Sequence, residues 1–81
     1  KGSLNSSEVN VRKLLTAALK HNAAAVILAH NHPGGVALPS PEDLSTTARI
    51  KAALEAADIR LLDHIIVADH DFVSLADSGY C

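Results

Sequence analysis

The sequence predicts a small α/β fold, a mixed sheet with helices on its faces, and three observations predict it. Two stretches carry apolar residues at helical spacing, a short continuous apolar run lies between them, and the chain closes on two β-rich runs separated by Asp69-His70-Asp71. The order strand, helix, buried strand, helix, strand hairpin is that of layered α/β architecture. At 81 residues the chain reads as one domain, residues 1–81, without internal repeat or low-complexity segment. A domain of this size buries only a little over ~60% of its unfolded surface, so a metal or a partner would add materially to its stability.

The elements follow in order. Lys1 to Asn5 reads as the end of a strand or an extended lead-in. Val11, Leu14, Leu15, Ala18 and Leu19 then form one apolar stripe of a helix, with Arg12, Lys13 and Lys20 toward water. Asn10 or Ser7 caps its start, Glu8 suits the same capping region, and Lys20, His21 and Asn22 close it, so His21 reads as a cation at a helix C-terminus. Ala23 to Ala29 is a continuous apolar run bounded by breakers. Its length and its Val26-Ile27 pair favour a strand, buried on both faces and central in the sheet.

A Pro/Gly-rich loop leads to a second helix from Pro41 to about Ala57. Ile59 to Ala68 reads as a strand, alternating at first and fully buried later, and Phe72 to Leu75 returns as its hairpin partner. Ala76 to Cys81 reads as a loose polar tail. His70, in the turn, reads as solvent-exposed.

Composition narrows the function classes. Aromatic residues are limited to Phe72 and Tyr80, so the core must be built from Ala, Val, Leu and Ile. The net charge of −2, with no basic run, argues against direct nucleic-acid binding. The longest apolar run is too short to span a bilayer and no signal peptide is visible, so no membrane role and a cytoplasmic location are expected. Cys81 is the single cysteine, which rules out an internal disulfide. A start at Lys1-Gly2 without methionine suggests a piece of a longer protein.

The chemistry concentrates in His30-Asn31-His32-Pro33-Gly34-Gly35 and the nearby Ser40-Pro41-Glu42-Asp43. Histidines at i and i+2 of an extended chain point the same way and can grip one ion together. Asp43, at the start of a helix, offers a third and harder ligand. Two imidazoles and a carboxylate with one position left for water is the donor set of a catalytic zinc site; a structural site would fill all four positions with protein. The plainer reading is that Ser40-x-x-Asp43 is a capping box with Pro41 at the first helical position. Both roles are compatible. Asp63-His64 offers a carboxylate that could orient a ligand histidine, although a polar pair at a strand's start is more often satisfied by neighbouring backbone.

The pattern His30-x-His32-x(7)-Ser40-x(2)-Asp43 is similar to the JAMM motif of JAB/MPN-type zinc metallopeptidases, and the wider wording resembles the bacterial RadC family, historically called DNA repair proteins. Gly2-Ser3-Leu4-Asn5, Ala18 to Ala24, His30-Asn31-His32-Pro33, Pro39 to Asp43 and Leu62 to Val67 carry the likeness, which covers nearly the whole chain. The resemblance implies a cytidine-deaminase-like three-layer sandwich, Zn²⁺ on His30, His32 and Asp43, and Ser40 as the residue that steadies the oxyanion during hydrolysis of a peptide or isopeptide bond in a peptide or protein substrate.

The chain departs from the family twice. Gly34 stands where RadC loops usually carry serine. JAMM enzymes also draw their general base from a glutamate on an upstream strand, so the resemblance implies an N-terminally truncated domain lacking that group. The loss of such a strand would expose a sheet edge and favour a homodimer. A rival reading is a metal-binding regulatory or protein-interaction module in DNA repair without turnover. A deaminase-type zinc site would need His-x-Glu and Pro-Cys-x-x-Cys, and the sequence contains neither.

Overall fold

The computed structural model describes residues 10–81. The lead-in over Lys1 to Asn5 and the capping places offered by Ser7 and Glu8 lie outside the described residues. Helix α1 (Val11–Lys20), strand β1 (Ala25–Asn31), helix α2 (Pro41–Ala56) and strands β2 (Arg60–Val67) and β3 (Phe72–Ser74) follow in chain order. The sheet is mixed, ordered β1-β2-β3, with β1 parallel to β2 and β3 antiparallel to it. No described helix is long and apolar enough to cross a membrane.

Asn10 opens α1, its side-chain oxygen accepting from Lys13 N at 3.1 Å. The helix ends in a Schellman motif: Asn22 takes φ 54°, Asn22 N donates to Leu19 O and Ala23 N donates to Ala18 O. That exit uses Ala23, and β1 therefore starts at Ala25 rather than Ala23. Helix α2 ends the same way, with Asp58 at φ 61°, Asp58 N on Glu55 O and Ile59 N on Leu54 O. Ile59 and Leu54 are both buried in one cluster, which supplies the apolar contact that usually accompanies this cap.

Two expectations about β1 need correction. Its burial alternates, His30 being buried and Val26 and Leu28 half-buried, while Ala25, Ile27, Ala29 and Asn31 are exposed. The cause is that both described helices pack over the Val26/Leu28 side, around Ala18, Ile50, Leu54, Ile59 and Leu61. Among the described strands β2, not β1, is central, because the hairpin strand β3 adds to the far side of β2. Alternation also persists through β2, where Ile66 is buried but Ile65 and Val67 are only half-buried. Leu19, expected on the inner stripe of α1, is 57% exposed.

A register shift matters for the site. Val26 pairs with Leu61 but Ile27 pairs with Asp63, so Leu62 is an extra residue in β2. One extra residue resets the side-chain alternation. Leu61 and His64 are therefore both buried although they are three positions apart. A second apolar cluster, Ala37, Ile66, Ala68 and Leu75, lies under the loop before α2. The chain end is less loose than its polarity suggests: Tyr80 N donates to Leu75 O at 2.8 Å and Cys81 packs against both clusters.

Candidate metal centre

His30 is the penultimate residue of β1 and His32 lies one residue beyond the strand. His32 N donates to Val67 O at 2.8 Å, which extends the ladder and keeps the backbone extended. The period of a strand then puts both imidazoles on one side, with ring centroids 5.0 Å apart. The third group arrives on α2. Ser40 is its N-cap, Asp43 N donates to Ser40 Oγ at 3.0 Å, and Ser40 N donates to Asp43 Oδ2 at 2.8 Å. The capping box fixes the Asp43 carboxylate, fully buried, against the two histidines.

His32 Nε2 lies 2.9 Å from Asp43 Oδ2, and His30 Nε2 lies 3.5 Å from Asp43 Oδ1. One donor atom from each of the three residues falls within 4.8 Å of the others. Donors bound at about 2.0–2.1 Å around a tetrahedral ion stand about 3.4 Å from one another, so the cradle needs only slight adjustment to close on a metal. His30 Nε2 is buried and makes no hydrogen bond, the state expected of a nitrogen kept for an ion. Burial lowers the His30 pKa, opposed by the nearby Asp43 carboxylate and reinforced by His32, which favours the neutral ring that a ligand needs. His30, His32 and Asp43 can hold a metal ion.

The site continues behind His30. His30 Nδ1 is 2.9 Å from His64 Nε2, His64 Nδ1 is 2.7 Å from Thr47 Oγ1, and Thr47 Oγ1 donates to Asp43 O at 2.7 Å. Burial, followed by repulsion from His30, lowers the His64 pKa despite Asp43 and Asp63. The Asp63-His64 pair thus splits. Asp63 is satisfied locally, accepting from His64 N, Ala76 N and Ser74 Oγ at 2.7, 2.9 and 2.6 Å. Burial pushes its carboxyl up, but these bonds outweigh that and hold it below its ordinary value. His64, by contrast, joins the site directly, without a carboxylate between.

A family model described as the RadC-like JAB domain matches residues 1–80. The chain belongs to the RadC-like JAB family. Among curated relatives it is 56% identical over 79 residues to a UPF0758 protein of Aeromonas hydrophila, covering 98% of this chain and 35% of that protein. It is 54% identical over 78 residues to a UPF0758 protein of a Marinomonas species and 50% identical over 78 residues to one of Coxiella burnetii, each covering 96% of this chain and 35% of the relative. The chain spans about a third of the length of these relatives.

In this RadC-like JAB domain the predicted metal ligands come together as a group, and Ser40 stands beside them in the capping box. His21 caps α1 and His70 is exposed in the turn between β2 and β3; neither belongs to the donor group. Sequence reasoning missed Thr47 and gave His64 a structural role. The available signal was Thr47 one helical turn from Asp43, on the same side of α2. The extra residue Leu62, which turns His64 inward, had no comparable signal.

Proposed function

We propose that this RadC-like JAB domain is a zinc hydrolase centre for peptide or isopeptide bonds, with Zn²⁺ held by His30, His32 and Asp43. The observation that carries the reading is the buried donor set itself: two imidazoles and one carboxylate with ligand atoms within 4.8 Å. Three protein donors leave a position open, the arrangement of catalytic rather than structural sites. A zinc ion there supplies Lewis acidity toward a carbonyl and acidifies water near neutral pH.

The chain's own groups do the rest. Ser40 N orients the Asp43 carboxylate, and Ser40 Oγ, which accepts from Asp43 N, keeps its own hydrogen to donate to a developing oxyanion. Asp43 is the carboxylate of the donor group, so the proton shuttle between water and leaving amine falls to a second acid, for which the family resemblance implies a glutamate upstream of His30. A positioned acid–base group is typically worth ~10²–10⁴-fold.

The test is calorimetric zinc titration of the chain, followed by assays on peptide and isopeptide substrates with and without chelator. Stoichiometric zinc binding is expected of the 81-residue chain, with chelator-sensitive hydrolysis in a longer chain that adds an upstream glutamate. Absence of zinc binding would overturn the metal assignment. Silence from both zinc-loaded chains would overturn the hydrolase assignment in favour of a regulatory metal-binding module.

A further inference from the structure

His30 faces the cradle through Nε2, and its other ring nitrogen lies 2.9 Å from His64 Nε2. Two neutral imidazoles that meet nitrogen to nitrogen share one hydrogen: one ring donates and the other accepts. The direction of that bond decides which nitrogen of His30 is bare. The far end of the chain of bonds sets the direction. Thr47 Oγ1 lies 2.7 Å from His64 Nδ1 and 2.7 Å from the Asp43 carbonyl oxygen. A carbonyl only accepts and a hydroxyl has a single hydrogen. With that hydrogen on Asp43 O, Thr47 Oγ1 accepts from His64 Nδ1–H. His64 Nε2 is then bare and accepts from His30 Nδ1–H, which leaves the lone pair of His30 Nε2 directed into the cradle.

We infer that Thr47 and His64 are positioning residues that lock His30 in its Nδ1–H tautomer and so present Nε2 to a metal. The inference rests on the reading of the cradle as a metal centre. Thr47, His64 and His30 are 0%, 2% and 6% exposed, so water has little access to replace any member of the relay. The opposite direction is poorer at both ends. It gives up the Thr47 bond to Asp43 O, and it places an N–H of His30 in the cradle, 3.5 Å from Asp43 Oδ1, too long for a good hydrogen bond. The relay also closes on itself, because Asp43 supplies both the ligand carboxylate and the carbonyl that orients Thr47. Partners of this kind behind a ligand histidine typically change metal affinity 10–100-fold when removed.

Two measurements test it on the whole 81-residue chain. Long-range ¹H–¹⁵N correlation spectra of the metal-free chain at neutral pH report the ring tautomers, and His64 with its hydrogen on Nδ1 is expected. A hydrogen on His64 Nε2 would overturn the inference whatever the metal does. In zinc titrations, Thr47→Val and His64→Leu should weaken binding by roughly 10–100-fold. His64→Gln, whose amide oxygen can accept from His30 Nδ1–H, should recover most of the loss, with thermal melts showing that each variant is folded. Wild-type affinity in both Thr47→Val and His64→Leu would overturn the relay. Absence of zinc binding by the wild-type chain would instead remove the metal reading, and the tautomer spectra would still decide the lock.

Discussion

The two halves of α2 are buried on opposite terms. The first half buries Asp43, Thr46 and Thr47, with Asp43 against His30 at the end of β1 and Thr47 on His64 of β2, and the second half buries Ile50 and Leu54 against α1 and β2. An aliphatic side chain taken fully from water stabilises by about 1.5–3 kcal/mol. A buried polar group gains little net even when bonded, and costs stability when its partner is lost. The second half therefore stabilises the fold by apolar burial, while the first, apart from its cap and Leu44, keeps buried polar groups that add little net stability. The difference teaches where to cut: apolar changes should move folding, polar changes should move ligand binding.

The largest effect is expected from Leu54→Ala, which should lower unfolding free energy by about 2–5 kcal/mol in urea titrations. The zinc affinity of the fraction that stays folded should be near wild type; a matched loss of affinity would break the division between the halves. Ser40→Ala tests the boundary between them, since Ser40 caps the helix and stands beside the His30, His32 and Asp43 donor group. Loss of the cap should cost about 1 kcal/mol, while the Ser40 N bond to Asp43 survives because it is backbone. Zinc titration should accordingly show a smaller loss than His32→Ala produces.

Acid sharpens the contrast further. Asp63 has its folded-state pKa below the ordinary value of 3.8, so its contribution to stability is complete above that value and is lost as pH falls through the folded-state pKa. Asp63→Asn should flatten the pH dependence of thermal melting in that acidic window only. The smallest effect is expected at the helix exits, where Asn22 and Asp58 hold positive φ. Glycine enters that region without strain, and Asn22→Gly or Asp58→Gly should change stability by no more than about 0.5 kcal/mol in the favourable direction.

Much of this was legible in the sequence. The helical spacing of Val11, Leu14, Leu15 and Ala18, the breakers around Val26-Ile27, and the Asp69-His70-Asp71 turn gave the elements and the mixed sheet. The His30-x-His32 spacing and the Ser40-x-x-Asp43 box gave the donor group because strand and helix periods alone decide which way those side chains point. Burial of β1 was not legible, since an apolar run looks the same whether one face or two is covered. His64 was not legible either: its inward turn depends on Leu62 slipping out of register with β1, which is a property of the pairing and not of β2. Nor was the relay through Thr47, which requires α2 to lie over β2.

The most direct test of the metal centre is calorimetric zinc titration of the wild-type chain, His32→Ala and His70→Ala, at neutral pH and again through the imidazole range. The wild-type chain and His70→Ala should bind one equivalent with equal affinity, His32→Ala should show no binding, and affinity should fall with pH because His30 and His32 must be neutral to ligate. Equal binding by His32→Ala and the wild-type chain, or an equal loss in His32→Ala and His70→Ala, would contradict the assignment.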